Sequence, residues 1–213
     1  MPLLEVRRGL GAGFANGAAP AAAMTTLGHQ VVADFYQAMV LDGRGYQIRA
    51  GTISVPVVGD VLITDTAAEM AIDAASGTTV MPIAVNISYN LAAATLFEAA
   101  GKSVATASSA GTTFVPLPLK SDSAAAVSTA RVQAAGACTV TAELATTTLR
   151  HFSWSQPIAA GAWPTWYDWQ PQYAPVLVGA RCFYVQIAAD TTGPSYYANV
   201  DFLEVPTLLV TPS

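Results

Sequence analysis

The clearest pattern in this chain is a strict alternation of apolar with small or polar side chains that begins at Ile83. Ile83, Val85, Ile87, Tyr89 and Leu91 take every second position, with alanine, asparagine and serine between them. Successive side chains of a strand point to opposite faces of its sheet, whereas a helix would distribute these residues around its circumference. The pattern therefore predicts a β-strand with one apolar face.

Similar runs recur along the chain, separated by turns rich in Gly, Pro, Asp and Ser, which is typical of all-β proteins. Segments 138–144 and 183–187 alternate in the same way, and 197–205 predicts a closing strand. The Ala-rich stretches 92–100 and 124–135 are the best helix candidates. Shorter runs of β-branched and aromatic residues predict further strands at 31–40, 46–55, 61–64, 70–74, 96–99, 114–117 and 149–154.

These elements predict an all-β protein of the antiparallel jelly-roll or β-sandwich kind, with eight or more strands. Each strand of such a sandwich needs one buried face, whereas a parallel α/β sheet would need amphipathic helices between its strands. No such helices and no repeat of fixed period are found, which disfavours α/β folds, propellers and solenoids. We expect a single jelly-roll or β-sandwich domain over residues 29–213.

Residues 1–28 differ in character from the rest, because they are rich in Gly and Ala and show neither a helical nor a strand period. They predict a flexible or extended N-terminal arm that becomes ordered only on another chain, and a leader without a role is the alternative. Arg7 and Arg8, followed by small apolar residues and alanines at 21–23, loosely imitate a secretory signal. Glycines interrupt the apolar helix that such a signal needs, so secretion is not our leading expectation.

The composition indicates a surface with few charges. Hydrophobic residues make up 53% of the chain and charged residues 11%, against about 45–50% and about 25% in typical domains. We interpret this as a protein covered by neighbouring subunits, since interspersed charge is what keeps small domains apart. A net charge of −5 with only two lysines, Lys102 and Lys120, disfavours nucleic-acid binding. No apolar run approaches the roughly 18 residues that span a bilayer, so no membrane partner is expected.

Candidate catalytic residues are few. His29 and His151 are the two histidines, and His151 is the only plausible general base. No nucleophile elbow of the form G-x-S-x-G occurs. The glycines before Phe14 resemble part of a dinucleotide loop, but Phe14 stands where its third glycine is required. We predict no enzymatic activity, no catalytic residue and no cofactor.

Four carboxylates that crowd one stretch of the chain are candidate metal ligands. Asp60, Asp65, Glu69 and Asp73 could offer oxygen ligands to Ca²⁺, but their spacing fits no calcium loop. Solvated turn carboxylates are the favoured interpretation, and no metal site is predicted. The two cysteines, at positions 138 and 182, are expected to be buried free thiols, with a disulfide between them as the alternative.

The most informative cluster is aromatic and lies within residues 154–173. Three roles remain open: packing under a loop at one end of the sandwich, anchoring a subunit interface, or a platform for carbohydrate. The members of the cluster are Trp154, Trp163, Trp166, Tyr167, Trp169 and Tyr173.

The C-terminal segments 183–189, 192–195 and 196–205 resemble the last strands of jelly-roll structural proteins of tailed bacteriophages. The resemblance extends in general style over residues 50–206. It implies a head decoration, or cement, protein that is made in the host cytoplasm and lies on the capsid surface of the virion. It further implies a homotrimer that contacts the major capsid protein, with a terminal arm reaching neighbouring subunits.

A phage decoration protein is therefore the leading functional hypothesis. Its expected interface comprises the aromatic cluster together with Arg7, Arg8 and Phe14 of the arm. The alternative is a carbohydrate-binding jelly roll, either a host-recognition head or a lectin-like module, in which Trp166 stacks on a sugar.

Overall fold

The computed structural model describes residues 35–52, 54–91, 96–133, 136–144, 146–157, 166–190 and 193–209 of the 213-residue chain. The predicted arm, residues 1–28, lies outside these ranges, and so do its expected interface residues Arg7, Arg8 and Phe14. Trp163 of the aromatic cluster also lies outside them.

The described residues form an all-β, antiparallel structure with one short α-helix and one turn of 3₁₀-helix. The helices are α1 (Phe35–Leu41) and the 3₁₀ turn Thr207–Leu209. The strands are β1 (Gly45–Ala50), β2 (Val57–Val58), β3 (Ala67–Ala68), β4 (Met70–Asp73), β5 (Thr78–Leu91), β6 (Leu96–Val104), β7 (Ser109–Ala110), β8 (Thr112–Phe114), β9 (Leu117–Pro118), β10 (Thr129–Val132), β11 (Cys138–Thr139), β12 (Leu149–Pro157), β13 (Trp166–Trp169), β14 (Leu177–Val178), β15 (Cys182–Ala189) and β16 (Ser195–Pro206).

The strands form two large sheets and one small sheet, and all strand pairings within them are antiparallel. Sheet I has the order β13-β5-β16-β1-β9, with β14 also on β5 and β2 on β16. Sheet II has the order β12-β6-β15-β4-β10-β8. Sheet III is the short β3-β11-β7. The predicted all-β, antiparallel sandwich is therefore confirmed.

Eight strands, which we call the main strands, pair in a nested order, while the four-residue β10 lies beyond β4 toward the edge of sheet II. Taken along the chain they are β1, β4, β5, β6, β12, β13, β15 and β16. The first pairs with the eighth, the second with the seventh, the third with the sixth and the fourth with the fifth. The third strand also pairs with the eighth, and the fourth with the seventh. The first, third, sixth and eighth strands therefore lie in sheet I, and the second, fourth, fifth and seventh lie in sheet II.

The main core lies between sheets I and II. On sheet I it takes the inward side chains of β5, including Val85, Ile87 and Tyr89, which were predicted to share one face. On sheet II it takes those of β15, including Phe183 and Val185. Fully burying an aliphatic or aromatic side chain of this size stabilises the fold by about 1.5–3 kcal/mol.

Parts of both outer faces are also covered, and this explains the elements that the pattern missed. Helix α1 packs Tyr36, Met39 and Val40 against Met81 and Leu203 on the outside of sheet I. Segment 31–40 was predicted as a strand, which is wrong for its described part, since the i, i+3, i+4 spacing of these three residues gives a helix its apolar stripe.

Sheet III covers the opposite side of the sandwich. Ala71, Cys182 and Tyr184 of sheet II pack there against Cys138 and Val140. Both faces of β15 are therefore buried along its whole length. Both cysteines are free and buried.

Several predicted boundaries are wrong. The strand predicted at 96–99 is confirmed as part of β6, so the described part of the helix candidate 92–100 is not helical. The described part of the helix candidate 124–135 contains β10 instead. Segment 61–64 forms no strand, and 138–144 forms one only at Cys138–Thr139. Ile83 lies outside the register between β5 and β16 and packs against the outer cluster with Met81, because a bulge switches its face.

Candidate interaction surfaces

The aromatic cluster is divided between two sides of sheet I by strand β13. Tyr167 and Trp169 are half-buried and pack against the main core, whereas Trp166 is 74% exposed on the outer face. Asp168 lies on the same outer side and is also exposed. The alternation W-Y-D-W thus places aromatic rings inside the sandwich and one indole outside it.

The inward aromatic residues form a continuous stack at the sheet edge. The ring centroids of Trp154 and Tyr167 lie 5.0 Å apart, and those of Trp154 and Tyr89 lie 5.9 Å apart. The ring centroids of Trp169 and Phe152 lie 5.2 Å apart. These spacings are those of favourable aromatic pairs, so most of this part of the cluster serves packing between the sheets.

Tyr173 lies on the segment that follows β13. Its side chain is 82% exposed, so it does not join the inward stack. The structure therefore brings Trp154, Tyr167 and Trp169 together and leaves Trp166 and Tyr173 accessible. A role of the six aromatic residues in a subunit interface stays a prediction.

A shallow cavity of about 220 Å³ lies beside Trp166 on the outer face of sheet I. Strands β13, β5 and β16 run side by side beneath it. Asn86 Nδ2 donates a hydrogen bond of 2.7 Å to Asp168 Oδ1 across its floor. The residues that line it are Asn86, Ile87, Ser88, Trp166, Asp168, Tyr197 and Asn199.

An exposed aliphatic edge, which we define as Val115, Leu117 and Leu119, lies at the opposite side of sheet I. Their side chains are 69%, 40% and 40% exposed. The prolines between them, Pro116 and Pro118, are buried and half-buried, so aliphatic side chains take the outward positions of this segment, where polar residues are usual. The signal that could have revealed this edge is the sequence V-P-L-P-L itself.

This aliphatic edge is protected against β-pairing. Strand β9 is the last strand of sheet I, and proline has no N–H to donate to a further strand. Leu119 donates its own N–H to Gly45 O at 2.9 Å. A partner would therefore bind the aliphatic side chains rather than extend the sheet.

His151, the only candidate general base, lies at a bulge in β12, between residues paired with Lys102 and Gly101. Its Nε2 lies 2.9 Å from Ser103 Oγ, and burial lowers the pKa of its imidazole. Ser103 is only 3% exposed. A nucleophile must reach its substrate, so this burial favours a structural role for the pair.

One lysine of sheet II is buried in an ion pair with a carboxylate. Lys102, one of the two lysines, is 4% exposed, and its Nζ lies 2.7 Å from Glu143 Oε2. Arg150 Nε also donates to Glu143, at 2.6 Å. These two hydrogen bonds hold the pKa of the Glu143 carboxyl below its usual range.

Two of the four acidic residues weighed as calcium ligands are buried, so their description as solvated turn carboxylates is wrong. Asp73 accepts hydrogen bonds from Ser108 N and Oγ at 2.8 and 2.7 Å. Glu69 accepts one from Ile187 N at 2.7 Å. Desolvation by burial raises the pKa of Glu69 to about 8. The described residues hold no group of three or more His, Cys, Asp or Glu side chains arranged to bind a metal ion.

Comparison with protein-family models, with curated proteins and with solved structures found no match to this chain. In the described part of the chain, no helix has the length and apolar character needed to cross a membrane.

Proposed function

We infer that the sandwich is a jelly roll. A long antiparallel hairpin of four strands against four brings the first strand beside the eighth, the second beside the seventh, and so on to the central turn. Rolling that hairpin into two sheets creates the further pairs of third with eighth and fourth with seventh. The nested order of the eight main strands supports this inference, and jelly rolls are common in viral capsid and lectin domains.

We propose that the protein is a structural subunit of a virion, a capsid decoration protein that acts through subunit contacts. In this proposal it assembles as a homotrimer on the major capsid protein and has no enzymatic role. The resemblance of its C-terminal segments to phage structural proteins supports the virion assignment. The buried Ser103 and His151 pair supports a role without catalysis.

The observation that carries the proposal is the exposed aliphatic edge. Val115, Leu117 and Leu119 present three aliphatic side chains to the outside while prolines occupy the inward positions. Exposing such a surface is unfavourable unless a partner covers it.

Other features of the surface support burial by neighbours. A Cβ on Gly45 would lie 2.6 Å from Val40 Cγ2 and 3.1 Å from Leu119 Cδ1, so Val40 of α1 and Leu119 of the edge both lie beside Gly45. Phe35 and Leu41 of this helix are further exposed apolar residues, at 54% and 45%. A stable interface buries about 1,200–2,000 Å² in total, and permanent ones are poor in charge.

Analytical ultracentrifugation of the full chain tests this assembly. The wild-type protein should sediment as a trimer at micromolar concentration. The double variant Leu117→Lys/Leu119→Lys should dissociate to monomers with an unchanged far-UV spectrum, because two ammonium groups cannot be buried in an apolar contact without a partner. Leu208→Lys is the matched control, since Leu208 is 90% exposed and lies outside the edge.

A wild-type protein that sediments as a compact monomer would end the proposal of assembly. The virion assignment has its own test in the neighbouring genes. Genes for a portal, a protease and a major capsid protein beside this one would support it, and a neighbourhood without virion genes would count against it.

A further inference from the structure

The cavity beside Trp166 is built from two rows of side chains on three adjacent strands. In the first row, Trp166 pairs with Ser88, which pairs with Tyr197. In the second row, Asp168 pairs with Asn86, which pairs with Asn199. We call these six residues the two-row site.

The dimensions of the two-row site follow from sheet geometry. Neighbouring strands lie about 4.8 Å apart, so Trp166 and Tyr197 are separated by about 10 Å with only Ser88 between them. The rows are two residues apart along each strand, or about 7 Å. The first row therefore has an aromatic residue at each end and the small side chain of Ser88 between them, with a backbone spacing on the scale of one six-membered sugar ring.

The two aromatic residues differ in how they are held. Gly51 lies against Tyr197, because a Cβ at this position would lie 2.9 Å from Tyr197 Cδ1. The backbone of Trp166 is paired with β5, while its side chain is 74% exposed. An exposed indole beside the polar side chains of the two rows can stack on the apolar face of a ligand.

The second row supplies hydrogen-bonding groups rather than apolar surface. Asn86 donates to one carboxylate oxygen of Asp168, which holds the two side chains together. Asp168 is exposed and lines the cavity, so its carboxylate is accessible to a ligand. Asn199 adds an amide that both donates and accepts. Planar carboxylate and amide groups match the paired hydroxyls of a sugar.

Charge selects between ligand classes. The cavity lining contains one carboxylate and no cation, which disfavours phosphates and other anions. Arg49 of β1 pairs with Asn199 and so extends the second row, but it does not line the cavity. The site therefore suits a ligand with an apolar ring face, several hydroxyls and no charge.

We propose that the two-row site binds an uncharged saccharide, with a pyranose ring stacked on Trp166 and its hydroxyls bound by Asp168 and Asn86. This inference goes beyond the proposed structural role and does not depend on it. The two-row site and the aliphatic edge lie at opposite sides of sheet I, separated by the strand order β13-β5-β16-β1-β9. A virion subunit with such a site would contact glycans through its outer sheet face.

The experiment is a screen of the full-length protein on an array of neutral and acidic oligosaccharides, followed by isothermal titration with the best neutral hit. Trp166→Ala should weaken binding by about tenfold or more, since a central aromatic contact dominates small interfaces. Asp168→Ala should weaken it comparably. Tyr173→Ala is the matched control, because Tyr173 is an exposed aromatic outside the lining and should bind as the wild type does.

Three results would overturn the inference: no neutral glycan bound at millimolar concentration, binding that survives Trp166→Ala, or binding restricted to acidic glycans and lost in Arg49→Ala. Sedimentation of Trp166→Ala separates this inference from the proposed assembly. The variant should keep the wild-type oligomeric state, whereas the Leu117→Lys/Leu119→Lys variant should keep glycan affinity per subunit. A Trp166→Ala variant that loses its assembly would instead identify this face as a protein interface.

Discussion

At the scale of single residues, Glu69 is the clearest case of an ionisable group whose pKa is shifted by the fold. The side chain is 1% exposed, Oε2 accepts from Ile187 N, and Oε1 is buried without a hydrogen-bond partner. Burial raises its pKa to about 8, and the nearby Asp60 carboxylate adds to the effect. The folded protein therefore holds a proton on Glu69 at pH values where the unfolded chain has released it.

This proton makes stability depend on pH. Between the unfolded pKa near 4.5 and the folded pKa of about 8, the folded state binds more protons, so stability falls as pH rises. We expect the free energy of unfolding to drop by roughly 2–5 kcal/mol between about pH 5 and pH 8 from this group. Chemical denaturation across this range should show the loss in the wild type and a flatter profile in Glu69→Gln. Parallel profiles for the two proteins would show that Glu69 does not titrate in this way.

The two thiols are a second residue-scale feature. Cys138 is fully buried, and burial raises its pKa to about 12. Burial also raises the pKa of Cys182, which is fully buried as well. Since the thiolate is the reactive form, neither residue is activated.

We therefore expect no reaction of either thiol with a disulfide reagent such as Ellman's reagent in the folded protein. Two equivalents per chain should react after denaturation, because only Cys138 and Cys182 are present. Fast labelling of the native protein would contradict the burial of this cluster. Fewer than two equivalents in denaturant without reductant would instead indicate a disulfide.

At the scale of elements, strand β6 explains how an Ala-rich segment becomes a central strand. Gly101 lies in its middle, and the ring of Phe152 from β12 lies over it. A Cβ at position 101 would lie 2.1 Å from Phe152 Cε1, closer than any real contact. The glycine thus permits the bulge in β12 to seat Phe152 in the main core.

Gly101→Ala should therefore destabilise the protein by about 1–3 kcal/mol through overpacking, although alanine is usually the better strand residue. Thermal and chemical unfolding would measure the loss. Gly136→Ala is the matched control, because nothing lies within 4 Å of a Cβ there, and it should change stability little.

A double-mutant cycle with Phe152→Leu tests the stated cause. Removing the ring should recover part of the cost of Gly101→Ala, so the two changes should be less than additive. Additive effects would show that the strain at Gly101 has another origin.

At the scale of the whole molecule, the first main strand pairs with the last, so β1 and β16 lie side by side in sheet I. Most contacts join residues that are distant in sequence. The described fold begins with α1 at Phe35, which packs on sheet I.

Deleting residues 1–28 should consequently leave the fold intact, with a free energy of unfolding within about 1 kcal/mol of the wild type. If the arm crosses to neighbouring subunits as predicted, the same deletion should weaken self-association by about tenfold or more. Far-UV circular dichroism with denaturation, together with ultracentrifugation, would measure both. An unchanged association constant would exclude arm exchange between subunits, and a collapsed fold would show that the arm belongs to the core.

The sequence by itself determined the class of the fold and several of its strands. Alternation over 83–91 and the apolar run at 183–187 identified β5 and β15, because strand periodicity is a local property that burial of one face imposes on the chain. It also identified the aromatic cluster as a feature, although not which rings face the interior.

Only the tertiary structure decided the rest, since those features depend on what covers each face. Helix α1 and sheet III bury parts of the outer faces, which the alternation of side chains predicts to be solvent-exposed. A bulge in β5 places Ile83 on the face opposite to that of Val85. Register across three strands, which no single segment specifies, assembles Trp166, Asn86 and Tyr197 into one site. The alternation of side chains is a local property that the sequence shows directly. Which strands become neighbours, and in which register, depends on the packing of the whole sandwich.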